Sequence, residues 1–265
     1  MPAMPESQFD WDPANYDRAR PSYPEALFDA LWAYLDPAAR ARPATIEVGP
    51  GTGQATQALL ARGAQVTAVE LGPRLVAFLT QKFQDDPNLS VMNAAFEDAP
   101  LPTPVWDLVC SATAYHWIPT AQRMTRPHAL LRSGGVLAII DTIQVQDDDA
   151  DHGYFERSQP VYARYWSNQT TFQPSPLPDE VEPPILAEVR ASGLFDDVQL
   201  WRYRWDQHYD ADAYMALVRS YSNTYELPPH TREQFLADLR AFVDAEDGAR
   251  VVRPLVITLV AGRRR

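Results

Sequence analysis

From residue 44 to residue 141 the chain alternates short apolar runs with stretches of helical spacing, a rhythm that few architectures accept. Ala44 to Val48, Gln65 to Glu70, Leu89 to Asn93, Asp107 to Ala112 and Val136 to Asp141 read as strands. Between them, Gln54 to Ala61 reads as a helix closed by Gly63, Pro73 to Gln84 as a second and about Ala121 to Leu131 as a third. Leu75, Val76, Phe78, Leu79 and Phe83 give the second its near-helical apolar spacing. Strands and helices in this order predict a parallel sheet covered on both faces. A further helix is expected ahead of them, from Glu25 to Leu35.

After residue 141 the rhythm breaks. Val198 to Trp205 and Leu255 to Ala261 read as two more strands, separated by helical stretches at roughly 210 to 222 and 231 to 245. Residues 145 to 182 fit neither period; they hold Pro160, Pro174, Pro176 and Pro178, with eight acidic residues against two arginines. A lid over a site and a solvated surface insertion both suit such a stretch.

Glycine is scarce, 11 residues against 24 prolines, yet Gly49, Gly51 and Gly53 fall within five positions. The run Ile46-Glu47-Val48-Gly49-Pro50-Gly51-Thr52-Gly53 sets them after a strand and before a helix. Bare backbone there admits a ligand closely, and a helix N-terminus offers N–H groups to an anionic ligand group. An ordinary tight turn is the plainer alternative. The dinucleotide spacing G-x-G-x-x-G would need a third glycine where Gln54 stands, and a phosphate-binding P-loop would need a nearby Gly-Lys pair.

Composition narrows the classes further. Cys110 is the one cysteine, which excludes an internal disulfide or a cysteine-based structural metal cluster. No apolar run reaches the ~18 residues of a membrane helix, and the opening residues lack the basic and apolar regions of a signal peptide. The expected setting is the cytoplasm, away from membranes. A formal charge of -12 repels a phosphate backbone, so nucleic acid is not an expected partner. Lys82 is the only lysine, and the terminal Arg263-Arg264-Arg265 reads as a solvated tail.

The G-x-G-x-G spacing of Gly49, Gly51 and Gly53 resembles that of S-adenosylmethionine-dependent methyltransferases with the Rossmann-like fold. The resemblance implies an α/β fold: a seven-stranded, mostly parallel sheet with helices on both faces, an antiparallel final strand and a mostly helical cap. It implies one methyltransferase domain over 1–265, with an N-terminal flap and helix at 1–36 and a cofactor-binding core at 44–141. Cap or substrate-side insertions would lie at 145–192 and 206–250. S-adenosyl-L-methionine is the implied cofactor, with its amino-acid part against the glycine turn and Glu47 at its methionine end. Glu70, ending the second strand, would accept from the ribose hydroxyls, with Leu71 beside it.

The loop Asn93-Ala94-Ala95-Phe96-Glu97-Asp98, followed by Leu101-Pro102, resembles the family's adenine frame, which implies cofactor contacts from Ala95, Phe96 and Glu97. The fourth strand would deliver Ser111, Tyr115, His116 and Trp117 beside the reactive methyl group. Aromatic rings suit a sulfonium through cation-π attraction, and His116 is the general-base candidate. Core packing is the competing account for those rings, and Cys110 reads as buried packing. Tyr16-Asp17-Arg18-Ala19-Arg20-Pro21-Ser22-Tyr23-Pro24 resembles the N-terminal segment of the trans-aconitate methyltransferase-like group, which implies cofactor or substrate contact from Tyr16 and Arg20. Pro21 and Pro24 also suit the start of a helix.

The expected activity is methyl transfer to a small molecule by in-line displacement, by a monomer or homodimer and with no metal. An NAD-dependent oxidoreductase and a non-catalytic binding module on the same fold are the alternatives.

Overall fold

The computed structural model describes residues 12–146, 153–166 and 175–265. Residues 147–152 and 167–174 of the acidic segment lie outside the described residues. Seven strands form one sheet: β1 (Ala44–Val48), β2 (Gln65–Glu70), β3 (Leu89–Asn93), β4 (Trp106–Ala112), β5 (Leu131–Gln144), β6 (Phe195–Asp210) and β7 (Arg250–Arg264). Their order is β3-β2-β1-β4-β5-β7-β6, mostly parallel with antiparallel final strands. This is the Rossmann-like sheet that the sequence predicts.

Register positions the site. In β1, Val48 stands opposite Val69 of β2 and Ser111 of β4, all three strands running the same way. Their carboxyl ends therefore share one edge, and the order reverses there between β2 to the one side and β4 to the other. Ligands of open α/β sheets bind at such an edge.

The chain divides into two compact units. The larger comprises residues 22–142, 182–203 and 257–265. Its helices are α2 (Glu25–Tyr34), α3 (Gln54–Ala61), α4 (Pro73–Lys82), α5 (Thr120–Arg123), α6 (Thr125–Leu130) and, after a helix of the other unit, α8 (Pro184–Ser192). Its core gathers Ile46, Val48, Val109, Leu137, Ile139 and Val260 from the sheet with Leu130, Leu186 and Val189 from helices. The other unit comprises residues 1–21, 143–181 and 204–256. Among the described residues it holds α1 (Pro13–Ala19), α7 (Tyr154–Ala163), α9 (Ala211–Arg219), α10 (Ser222–Glu226) and α11 (Pro229–Ala245). Phe235, Leu236, Leu239 and Val243 of α11 pack there with Tyr154, Val161, Tyr214 and Leu217.

Several elements depart from expectation for identifiable reasons. The helix read from about 121 to 131 is two short helices joined at Met124, because Pro127 has no N–H to donate to the carbonyl of Arg123. The last three strands extend well beyond their apolar centres, since β6 alternates half-buried and exposed positions and shows no apolar run. The acidic segment contains α7, with Pro160 inside it, and helix α8 begins on Pro184 at its first position. No helix among the described residues is long and apolar enough to cross a membrane.

Candidate active site

The glycine turn follows β1 and leads into α3, with Gly49, Gly51 and Gly53 at φ 65°, 58° and 92°. All three adopt the left-handed conformation that side chains disfavour. The turn is also packed from behind. A Cβ on Gly49 would lie 2.5 Å from the Ala114 Cβ, and one on Gly53 would lie 2.6 Å from Phe83 Cε2. These two glycines thus satisfy the chain's own packing against the β4 loop and α4. Lys82 closes the turn from α4 by donating to the Thr52 carbonyl at 3.0 Å.

Two carboxyl groups flank the turn. Glu70, at the end of β2 and buried, accepts the Gly51 N–H at 3.1 Å and the Gly72 N–H at 2.9 Å. Those bonds fix its orientation beside the turn. Glu47 is 1% exposed and accepts the Thr56 hydroxyl at 2.7 Å. Burial pushes its carboxyl up to about 7, the Thr56 bond opposing that shift and the charge of Glu70 adding to it.

The fourth-strand motif divides. His116 and Trp117 are exposed, in a short 3-10 turn (Tyr115–Trp117), with ring centroids 4.6 Å apart. Burial of its ring, and secondarily the charge of Arg123, lowers the His116 pKa below 6.5, so the imidazole is neutral near pH 7. Tyr115 lies in the core instead, 1% exposed, and its hydroxyl donates to the Arg123 carbonyl. The ring expected as a wall beside the methyl group is thus packed among core residues. Ser111 is likewise fully buried and donates to the Val48 carbonyl at 2.9 Å, tying β4 to β1. Its hydroxyl serves the sheet where a cofactor contact was expected.

In the loop after β3, Phe96 packs into the same core, while Ala95 and Glu97 are half-buried. The Asn93 side chain donates to the Glu70 and Leu71 carbonyls, both at 2.9 Å, holding this loop to the end of β2. Leu71 is 50% exposed beside it. The structure thus brings together Glu70, Leu71 and the start of the loop at Asn93.

Sequence reasoning missed two residues here. Thr113 sits at φ 58°, an outlier for a β-branched residue, and its hydroxyl shares a 3.1 Å hydrogen bond with the Tyr23 hydroxyl. Nothing in a lone threonine signals this. Asp141 follows Ile140, which pairs with Ala112 at the end of β4, and burial raises its carboxyl pKa. A carboxylate closing a strand beside β4 was the available signal.

Tyr16 and Arg20 belong to the other unit. The Arg20 guanidinium lies 4.7 Å from the Tyr16 ring centroid and 4.8 Å from that of Tyr221, and it donates to the Ser220 carbonyl at the end of α9.

A sheet of this order with a glycine turn and an anchored strand-end carboxylate at its switch point defines a Rossmann-like domain built for a nucleoside-bearing cofactor. Residues 46–139 match the family described as a methyltransferase domain. The chain is 28% identical to the Mycobacterium tuberculosis methyltransferase Rv3342 over 225 residues, 85% of this chain and 81% of that protein. A proposed type II methyltransferase from Anaeromyxobacter dehalogenans superposes with a TM-score of 0.59 at 23% identity, covering 92% of this chain and 96% of that one. Haemonchus contortus phosphoethanolamine N-methyltransferase 2, solved with S-adenosyl-L-methionine, gives a TM-score of 0.53 at 12% identity, covering 99% of this chain and 58% of that one. Residues 46–139 thus carry a methyltransferase domain, and the relatives support an S-adenosylmethionine-dependent methyltransferase.

Proposed function

We propose that the protein methylates a hydroxyl or amine of a small molecule by in-line displacement. When bound, the cofactor supplies an electrophilic methyl group with a neutral thioether as leaving group. The observation that carries the reading is the Glu70 carboxylate, held by the Gly51 and Gly72 N–H groups at the end of β2, where it can accept from a ribose diol. Gly49 to Gly53 fit the methionine end of the cofactor, with Glu47 behind the turn. Leu71, Ala95 and Glu97 fit the adenine end. The lowered His116 pKa supports its role as the base that takes the acceptor's proton, with the Trp117 ring beside it. The net charge of -12 favours a small-molecule acceptor over a nucleic acid, and the Arg20-Pro21-x-Tyr23-Pro24 run favours the trans-aconitate methyltransferase-like group.

Calorimetry with S-adenosylhomocysteine tests the carrying observation. Glu70→Ala should weaken binding by ~100-fold or more, as expected for loss of charge-assisted hydrogen bonds. A variant that binds like the parent would remove Glu70 from the site.

A further inference from the structure

The unit formed by residues 1–21, 143–181 and 204–256 contains an arginine, Arg253, whose charge no described carboxylate balances. The Arg253 Nε donates to the Gln144 Oε1 at 2.9 Å, its Nη2 donates to the same oxygen, and its Nη1 donates to the Tyr221 hydroxyl. Each terminal nitrogen keeps a further N–H. Among the described residues no carboxylate pairs with Arg253, although the chain has 35 acidic residues and pairs Arg157 with Glu246 and Arg219 with Glu233 in this same unit. Nor does Arg253 cap a helix, as Arg232 does through the carbonyls of Thr224, Tyr225 and Leu227.

The neighbouring groups repeat the pattern. The Gln144 Nε2, the Arg20 Nε and the Tyr209 hydroxyl are buried without a hydrogen-bond partner, and Tyr209 is only 6% exposed. Arg20 and Arg253 lie against one Tyr221 ring, 4.8 Å and 5.8 Å from its centroid, and both act electrostatically on the Tyr209 phenol. The Phe155 ring stands 5.8 Å from the Arg253 guanidinium carbon. Two part-buried guanidinium groups without a counter-ion are costly, and every unsatisfied group here can donate. What this cluster lacks is an acceptor carrying negative charge.

We propose that Arg253, Gln144, Tyr209 and Arg20 form, within this unit, a binding site for the carboxylate of a small molecule. A guanidinium matches the two oxygens of a carboxylate, neutral donors from Gln144 and Tyr209 complete its shell, and the aromatic walls suit the attached carbon skeleton. The residues lie outside the methyltransferase match at 46–139.

The test titrates benzoate, benzamide and inorganic phosphate into the full chain, following arginine Nε–Hε signals by NMR. Benzoate should shift the Arg253 signal saturably and benzamide should not. Arg253→Met should weaken benzoate binding at least 10-fold while adenosylhomocysteine affinity is kept. Tyr209→Phe, which deletes a hydroxyl that has no partner to strand, should weaken it several-fold without unfolding the chain. No saturable benzoate shift, an equal response to benzamide, or tighter binding of phosphate overturns the proposal.

Discussion

The Thr56 hydroxyl donates to the Glu47 carboxyl at 2.7 Å, both side chains sealed from solvent beneath the glycine turn. The carboxyl titrates near 7 because burial penalises its charged form more than one hydroxyl bond relieves it. In the unfolded chain it titrates near 4.5, so the folded state binds more protons between those two values. Stability therefore falls as pH rises through that window, and the full cost, on the order of 3 kcal/mol, applies above pH 7. Glu47→Gln keeps an acceptor for Thr56 and removes the ionisation. Urea titrations should find it more stable than the parent at pH 8 and nearly equal at pH 4.5; a destabilised variant at pH 8 would show that the native carboxylate is charged and well compensated.

The three glycines of the turn should separate by experiment. Gly53→Ala forces a Cβ to 2.6 Å from Phe83 and 2.7 Å from Leu79 at φ 92°, so its main loss is in folding stability, about 1–3 kcal/mol. Gly51→Val should cost about 1–2 kcal/mol for its left-handed φ and abolish adenosylhomocysteine binding by filling the space over the bare backbone of the turn. Melting curves and calorimetry on both variants distinguish the roles. Normal cofactor affinity in Gly51→Val would take the turn out of the site.

For His116, burial and Arg123 act in the same direction, lowering the pKa and keeping the imidazole neutral. A base must be unprotonated to work, so kcat should fall on the acid side with an apparent pKa below 6.5. His116→Gln should lower kcat by ~100-fold or more and abolish that limb. An acid limb above 6.5, or one that persists in the variant, would assign the step to another group, with Asp141 the next candidate.

The cofactor half of the protein was legible because its signals are local. A buried strand, a glycine turn and a helix follow one another within Ala44 to Ala61, and parallel register then carries Glu70 to the same edge. Side-chain direction was not legible. Tyr115 and His116 are neighbours in one motif, yet one ring enters the core and the other stays at the surface, a division made by the 3-10 turn and not by residue type. Ser111 and Phe96 likewise turn inward, which their residue types do not signal. The helix Tyr154–Ala163 was hidden by Pro160 and the surrounding acidic residues. Arg253 and Gln144 are 109 positions apart, and only the placement of β7 beside β5 reveals that their side chains meet.

Lys82 is the only lysine in the chain, and it sits on the Thr52 carbonyl of the glycine turn. Apart from the α-amino group, an amine-directed reagent has one address on this molecule. A label at that ε-nitrogen is a built-in reporter, and protection from acylation by a bound cofactor would read out occupancy of the turn without engineering a single residue.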